Sequence, residues 1–220
     1  MIEVRNLYKR YHGPFGGDWV LKDVNFVIPQ GVSVGLIGRN GAGKSTLLKL
    51  LARMDTPDKG DIITNSKISW PIGLKGGFQG SMTGRQNVKF VARIHGGEGR
   101  MQQIIDYVQE FAEIGRAFDQ PMKTYSSGMR SRLAFGLSLA FDFDVYISDE
   151  ATAVGDTAFK KKAKKAFRDR IGRSSLIMVS HSVGILQDLC EAGIWLHEGK
   201  AIWFDKLADA IEAYNESISK

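Results

Sequence analysis

The segment Gly38-Arg39-Asn40-Gly41-Ala42-Gly43-Lys44-Ser45 constrains this chain more than any other stretch in it. It fits the pattern G-x-x-x-x-G-K-[ST]. It lies between a nearly continuous apolar run, Val32-Ser33-Val34-Gly35-Leu36-Ile37, and the amphipathic run Thr46-Leu47-Leu48-Lys49-Leu50-Leu51. A buried strand, a glycine-rich turn and a helix, in that order, are the context the pattern requires. The chemistry explains the composition. Glycines let successive backbone N–H groups turn inward around a polyphosphate, and the helix N-terminus adds positive potential. Lys44 can reach the β and γ phosphates, and the Ser45 hydroxyl is placed to ligate Mg2+. A nucleoside triphosphate site is therefore expected, in a fold that joins strands to helices.

A second, acidic piece matches the first. Val145-Tyr146-Ile147-Ser148 reads as a buried strand and runs straight into Asp149-Glu150. Ligands of open α/β sheets bind beyond the carboxyl ends of the strands, so both carboxylates are expected at the phosphate edge. Asp149 is read as holding Mg2+, directly or through water, and Glu150 as orienting and polarising the attacking water. That division suits phosphoryl transfer, where positioning and charge stabilisation do most of the work. The apolar run Leu176-Ile177-Met178-Val179-Ser180 brings His181 to the same edge, as a candidate γ-phosphate contact. The other histidines, His12, His95 and His197, have no such placement.

Elsewhere, residues 20–28 alternate apolar and polar as a strand does, and Pro29-Gln30-Gly31 makes a turn. Ile104, Val108, Phe111 and Ala112 keep helical spacing, and a further helix should begin at Ser126 or Ser127 and run through Leu133, Leu137 and Ala140. Strands alternating with helices imply a parallel sheet covered on both faces. The mostly helical span 77–140 reads as inserted into that core, within a single domain of residues 1–220.

In this order, the pieces resemble the nucleotide-binding subunit of ATP-binding cassette (ABC) transporters over essentially the whole chain. The resemblance implies a P-loop NTPase (RecA-like) α/β core with a parallel sheet, an N-terminal antiparallel β subdomain and an inserted helical subdomain. Its distinguishing element is Tyr125-Ser126-Ser127-Gly128-Met129-Arg130, which is similar to the family signature Leu-Ser-Gly-Gly-Gln. Ser127 stands where glycine is usual, and Met129 replaces a polar residue. Taken alone, the segment is equally a capped helix. As the signature, its Ser126, Ser127 and Gly128 would face the γ-phosphate held by a second copy of the chain.

The resemblance also implies ATP and Mg2+ as cofactors. ATP contacts would come from Gly38, Arg39, Asn40, Gly41, Ala42, Gly43, Lys44, Ser45 and Thr46, and Tyr11 would stack on adenine. Lys44, Glu150 and His181 would be catalytic. Gln79 would join Ser45 and Asp149 at Mg2+ and sense a transmembrane partner. Ala153-Val154-Gly155-Asp156 would cross the dimer interface, with Asp156 matching the usual residue type.

Two stretches narrow the match. Ser81-Met82-Thr83-Gly84-Arg85-Gln86-Asn87-Val88 resembles the Thr-Gly-Arg-Glu-Asn-Val segment of subunits that export cell-surface polysaccharides. The signature, with Arg132-Leu133, has the form used by the same exporters. With the chain ending at Lys220, the compact capsular polysaccharide type is expected, and O-antigen or teichoic-acid export are the alternatives. The implied partners are a second copy of the chain and a transmembrane permease docking near Gln79 and residues 81–88. The implied location is peripheral, on the cytoplasmic face of the inner membrane.

Composition tests the rivals. Thirty basic residues against 24 acidic ones give +6, a balance that suits nucleic acid, anionic lipid, an acidic cargo or simple solubility. A soluble ABC-type ATPase acting on nucleic acid or ribosomes would use the run Lys160-Lys161-Lys162-Ala163-Lys164-Lys165. Phe159, Ala163, Ala166 and Phe167 keep helical spacing through that run, which makes the lysines most simply its wet face. Contact with an anionic inner-membrane surface is a lesser expectation, and no nucleic acid partner is expected. A non-hydrolysing cassette is disfavoured, because every catalytic residue type is present. No apolar run approaches the roughly 18 residues of a membrane span, no export signal is read at the N-terminus, and the single Cys190 cannot form an internal disulfide.

Overall fold

The computed structural model describes residues 1–11, 17–72, 78–149, 156–180 and 182–218. Among them, nine strands form: β1 (Ile2–Arg10), β2 (Trp19–Ile28), β3 (Val34–Ile37), β4 (Lys59–Thr64), β5 (Ile68–Pro71), β6 (Val145–Asp149), β7 (Ser175–Val179), β8 (Ala192–His197) and β9 (Lys200–Phe204). The helices are α1 (Lys44–Leu51), α2 (Gly84–Ile94), α3 (Met101–Ala112), α4 (Ser127–Leu139), α5 (Thr157–Ile171), α6 (Val183–Leu189) and α7 (Leu207–Ile218).

Two kinds of strand follow from two kinds of burial. In β1 and β2 buried residues such as Val4, Leu7, Val24 and Phe26 are interspersed with exposed ones, so only one face of that sheet is dry. With β4 they make a three-stranded antiparallel sheet, order β2-β1-β4. By contrast β3 and β7 are buried at every residue, and β6 at all but Asp149. Strands dry on both faces belong inside a parallel sheet. They lie in a six-stranded sheet of order β5-β6-β7-β3-β8-β9, parallel throughout except for β9, which runs antiparallel to β8.

The chain divides into two compact units. The first comprises Met1–Pro71, Phe143–Glu150 and Ile171–Lys220 and holds both sheets. Its core joins Ile2, Val4, Leu7 and Leu21 to Leu36, Ile177 and Ile194 of the larger sheet and to Leu47, Leu48, Leu50 and Leu51 of α1. Both sheets therefore grip the helix that the phosphate loop opens.

The second unit comprises Ile72–Asp142 and Ala151–Arg170. Phe111 of α3 stacks 6.0 Å from Phe135 of α4 and meets Phe159 of α5 edge-on at 5.5 Å. α5 thus joins this unit although it follows the strand that carries Asp149. That partnership is set by a contact 48 residues apart in sequence, which no local pattern encodes. On α5, Phe159, Ala163 and Phe167 are buried while Lys160, Lys161, Lys164 and Lys165 are exposed, as the helical spacing predicts. Lys162 departs from the wet-face reading. Its Nζ donates to Phe111 O at 3.1 Å and pairs with Glu113 at 2.6 Å.

The tryptophans all stand in strands and are half-buried. Trp19 meets Tyr8 at 5.3 Å, Trp70 meets Phe143 at 5.2 Å, and Trp203 donates to Asp205 at 2.8 Å. Among the described residues, no helix is long and apolar enough to cross a membrane.

Candidate functional site

β3 delivers the chain to Gly38 at the carboxyl edge of the larger sheet, with Leu36 and Ile37 buried behind it. The loop then closes on itself, Ala42 N–H donating to Arg39 O at 3.1 Å. α1 begins at Lys44, and its cap is Gly43 at φ 99°, which makes no side-chain cap bond to the first turn. The first N–H groups of a helix have no partner within it. Here the cap residue, a glycine, offers them no side-chain acceptor, and no acidic residue stands in that turn. Such an end suits an anion. Arg39, Asn40, Gly41 and Ser45 are exposed, and Gly38, Ala42, Lys44 and Thr46 are half-buried. Lys44 folds over its own loop, Nζ donating to Gly38 O at 2.7 Å and Arg39 O at 2.9 Å. Gly43 is buried against β2, so that a Cβ there would lie 3.0 Å from Leu21 Cδ2. The antiparallel sheet is thus the floor of the loop. On its outer side, Gly41 and Ala42 border an open cleft of about 810 Å³ that also involves Trp19, Lys22 and His197.

Asp149 ends β6 at the same edge, half-buried and paired in parallel register with Val179 of β7. β7 is the single strand between β6 and β3. Two strand spacings separate their ends, about 10 Å. Ser180 leaves β7 between them. Glu150, His181, His12 and residues 153–155 lie outside the described residues. The oxygen set of Ser45 and Asp149 suits a hard divalent cation such as Mg2+. The glycine-capped helix N-terminus and Lys44 suit a polyphosphate.

Tyr11 is 47% exposed, and its hydroxyl donates to Asp55 Oδ2 at 2.9 Å. Burial and Asp55 together raise the Tyr11 phenol above its ordinary value, while a hydrogen bond with the Thr46 side chain pulls it down. Tyr11 therefore stands beside the first turn of α1. Lys9 Nζ bonds Asp55 Oδ1 at 2.8 Å and lies 5.1 Å from the Tyr11 ring centroid. The Lys9 hydrogen bond holds the Asp55 carboxyl below the usual carboxylate range, against the opposing effect of burial. Sequence reading missed Lys9 and Asp55. They are 46 residues apart and follow no pattern; only contact reveals them.

Ser126, Ser127, Gly128 and Gln79 belong to the second unit. Ser126 caps α4, its Oγ accepting from Met129 N–H at 3.2 Å, so the capped helix expected from sequence is what forms. Ser127 is exposed, and Gly128 has open space, with only Ser126 Oγ at 3.8 Å from a Cβ built there. Gln79 is exposed, while its backbone is clamped by the buried Asn87. Gln79 N–H donates to Asn87 Oδ1 at 2.8 Å, and Asn87 Nδ2 donates to Gln79 O at 3.1 Å and to Thr83 O at 2.9 Å.

The rest of segment 81–88 also has a local explanation. Thr83 and Gln86 form a reciprocal capping box at the start of α2, and Arg85 grips Asp119 with bonds of 2.7 and 3.1 Å. Gly84 leaves room for the buried Tyr125 hydroxyl, which a Cβ would strike. Asp156 accepts from Phe159 N–H at 2.9 Å and pairs with Arg132.

A parallel sheet with a glycine-rich phosphate loop and an acidic strand end on one edge, backed by an antiparallel sheet and accompanied by a helical unit, defines an ATP-binding cassette. The chain matches the ABC transporter family over residues 21–153 and belongs to that family. The polysialic acid transport ATP-binding protein KpsT of Escherichia coli is 52% identical to it over 219 residues, which cover 99% of this chain and 100% of that one. The capsule polysaccharide export ATP-binding protein CtrD of Neisseria meningitidis serogroup B is 42% identical over 219 residues, covering 98% and 99%. Among solved structures, an ATP-binding subunit of an ABC transporter matches with a TM-score of 0.81 at 20% identity, over 100% of both chains. That last likeness speaks to the fold.

Proposed function

We propose that this chain is the ATP-hydrolysing subunit of an ABC transporter that exports capsular polysaccharide across the inner membrane. One observation carries the reading: likeness of 52% and 42% to two chains named for polysialic acid transport and capsule polysaccharide export, running essentially from end to end in both. Gly38 to Thr46 cradle the phosphates of ATP, and Tyr11 receives its adenine. Ser45 and Asp149, with Gln79 as a further candidate ligand, would hold Mg2+, and the ion would neutralise phosphate charge there. Glu150 orients the attacking water and His181 contacts the γ-phosphate. Ser126, Ser127 and Gly128 reach the nucleotide of a second copy, so two chains related by a two-fold axis enclose two ATP molecules. Hydrolysis then weakens the closed pair. A membrane permease that binds the closed and open pairs unequally is driven by that change. The chain works on the cytoplasmic face of the inner membrane, without entering it.

The test is complementation. In a capsule-forming host whose own export ATPase has been deleted, this chain supplied with its permease restores surface polysaccharide, and Lys44→Ala does not. Equal restoration by Lys44→Ala, or salt-sensitive copurification with RNA or DNA in place of a polytopic membrane protein, would overturn the reading.

A further inference from the structure

The turn that follows α1 grips the end of β1 at several points. Asp58 N–H donates to Tyr8 O at 2.9 Å, Arg10 N–H donates to Asp58 Oδ2 at 2.8 Å, and Lys9 Nζ donates to Thr56 O at 2.7 Å. At its head, the Asp55 carboxylate divides its two oxygens. Oδ1 takes Lys9 Nζ at 2.8 Å, and Oδ2 takes the Tyr11 hydroxyl at 2.9 Å. The pair is sheltered, the Lys9 and Asp55 side chains being 10% and 24% exposed. A charge-assisted hydrogen bond in such a place fixes geometry better than a neutral bond on the surface. The Tyr11 ring carries the Lys9 ammonium 5.1 Å from its centroid, yet the residue remains 47% exposed. An anchored aromatic ring with free surface therefore stands beside Thr46 of the phosphate-loop helix.

We infer that Asp55 is a positioning residue for the base end of the nucleotide. It holds the Tyr11 ring through its hydroxyl so that a purine can stack on it, and it ties that ring to the helix that opens with the phosphate loop. The inference rests on the reading of Tyr11 as the residue that receives adenine. Its physical content is preorganisation: a ring already locked gives up less freedom when a base stacks on it. An offset-stacked base needs the ring held near one tilt, and the Asp55 bond to the phenol supplies that restraint.

The experiment compares equilibrium binding of ATP and of inorganic tripolyphosphate to the full chain, with Mg2+ removed so that nothing turns over. Tripolyphosphate engages the phosphate loop but has no base. Asp55→Ala and Tyr11→Phe should each weaken ATP by about three- to tenfold, the scale of one lost hydrogen bond. Both should leave tripolyphosphate affinity unchanged. The double variant should bind ATP no worse than Asp55→Ala, since both changes cut the same link. Asp55→Asn, which keeps an acceptor for the phenol, should recover part of the loss.

Wild-type ATP affinity in Asp55→Ala would overturn the inference. So would equal losses for ATP and tripolyphosphate, because the turn would then support the loop and not the ring. Tyr11→Ala separates the two layers. If it binds ATP normally, the stacking reading itself fails; if it weakens ATP while Asp55→Ala does not, stacking stands and only the positioning role falls. Should Asp55→Ala fail to fold, Tyr11→Phe carries the same test with the Lys9–Asp55 pair intact.

Discussion

The phosphate loop contains a matched pair of glycines that separates backbone strain from packing. Gly41 and Gly43 both hold positive φ, +82° and +99°. A Cβ at Gly41 would meet nothing within 4 Å, whereas one at Gly43 would lie 3.0 Å from Leu21 Cδ2, 3.2 Å from Val20 Cγ1 and 3.3 Å from Val20 O. An L side chain in the left-handed region costs about 1–2 kcal/mol. Alanine recovers about 0.4–1 kcal/mol of that by restricting the unfolded chain. Gly41→Ala should therefore destabilise the nucleotide-free chain by roughly 1 kcal/mol or less. Gly43→Ala adds overpacking against β2, so its total should be roughly 2–3 kcal/mol. For a chain of this size, these figures become Tm losses of about 2–4 °C and about 4–12 °C. The assay is thermal unfolding without nucleotide, followed by circular dichroism. A Gly41→Ala loss equal to that of Gly43→Ala would refute the reasoning, because strain alone would then explain both. A further result follows if β2 is the floor of the loop. Leu21→Ala opens space beside Gly43, so the Gly43→Ala penalty measured in that background should shrink.

Three further outcomes are expected. Glu150→Gln should accumulate ATP-bound dimers with little turnover, read by size-exclusion chromatography with ATP; turnover at the wild-type rate would remove Glu150 from its role. Asn87→Ala strands the Gln79 amide, while the Gln79 and Thr83 carbonyls keep the Met82 and Asn87 backbone N–H donors, so the cost in urea unfolding should be about 1–3 kcal/mol. A cost near zero would mean that water replaces the clamp. Asp55 titrates below its ordinary value of 3.8 when folded, chiefly through Lys9. Its stabilising contribution is therefore full above that value and is lost as pH falls through the lower folded value. The Tm gap between wild type and Asp55→Asn should stay level from neutral pH to about 4 and close below it. A gap that persists to the lowest pH would show that packing, not charge, sets it.

What was legible in the sequence shares one property: its physics is local. The loop Gly38-Arg39-Asn40-Gly41-Ala42-Gly43-Lys44-Ser45 declares its turn and its helix start within eight residues, and α1 begins at Lys44. Residue type offers Ser126 or Ser127 as the cap, and Ser126 is the one that accepts from Met129 N–H. The continuous apolar runs of β3, β6 and β7 announced strands dry on both faces. What stayed hidden depends on pairing across the chain. Neither the seating of α5 on Phe111 nor the Lys9–Asp55–Tyr11 link leaves a trace in any short window. The same division runs through segment 81–88. Its likeness to polysaccharide exporters was visible as letters, but the letters have reasons only in contact. Thr83 and Gln86 cap α2, Arg85 reaches Asp119, and Asn87 fixes the backbone of Gln79. A stretch that resembles a functional label is thus also a folding device. The Asn87 clamp bears on the one residue of that region proposed to meet both Mg2+ and the permease. Loosening the clamp should therefore disturb Gln79 before it disturbs the phosphate loop, since Gly43 rests on Val20 and Leu21 in the other unit.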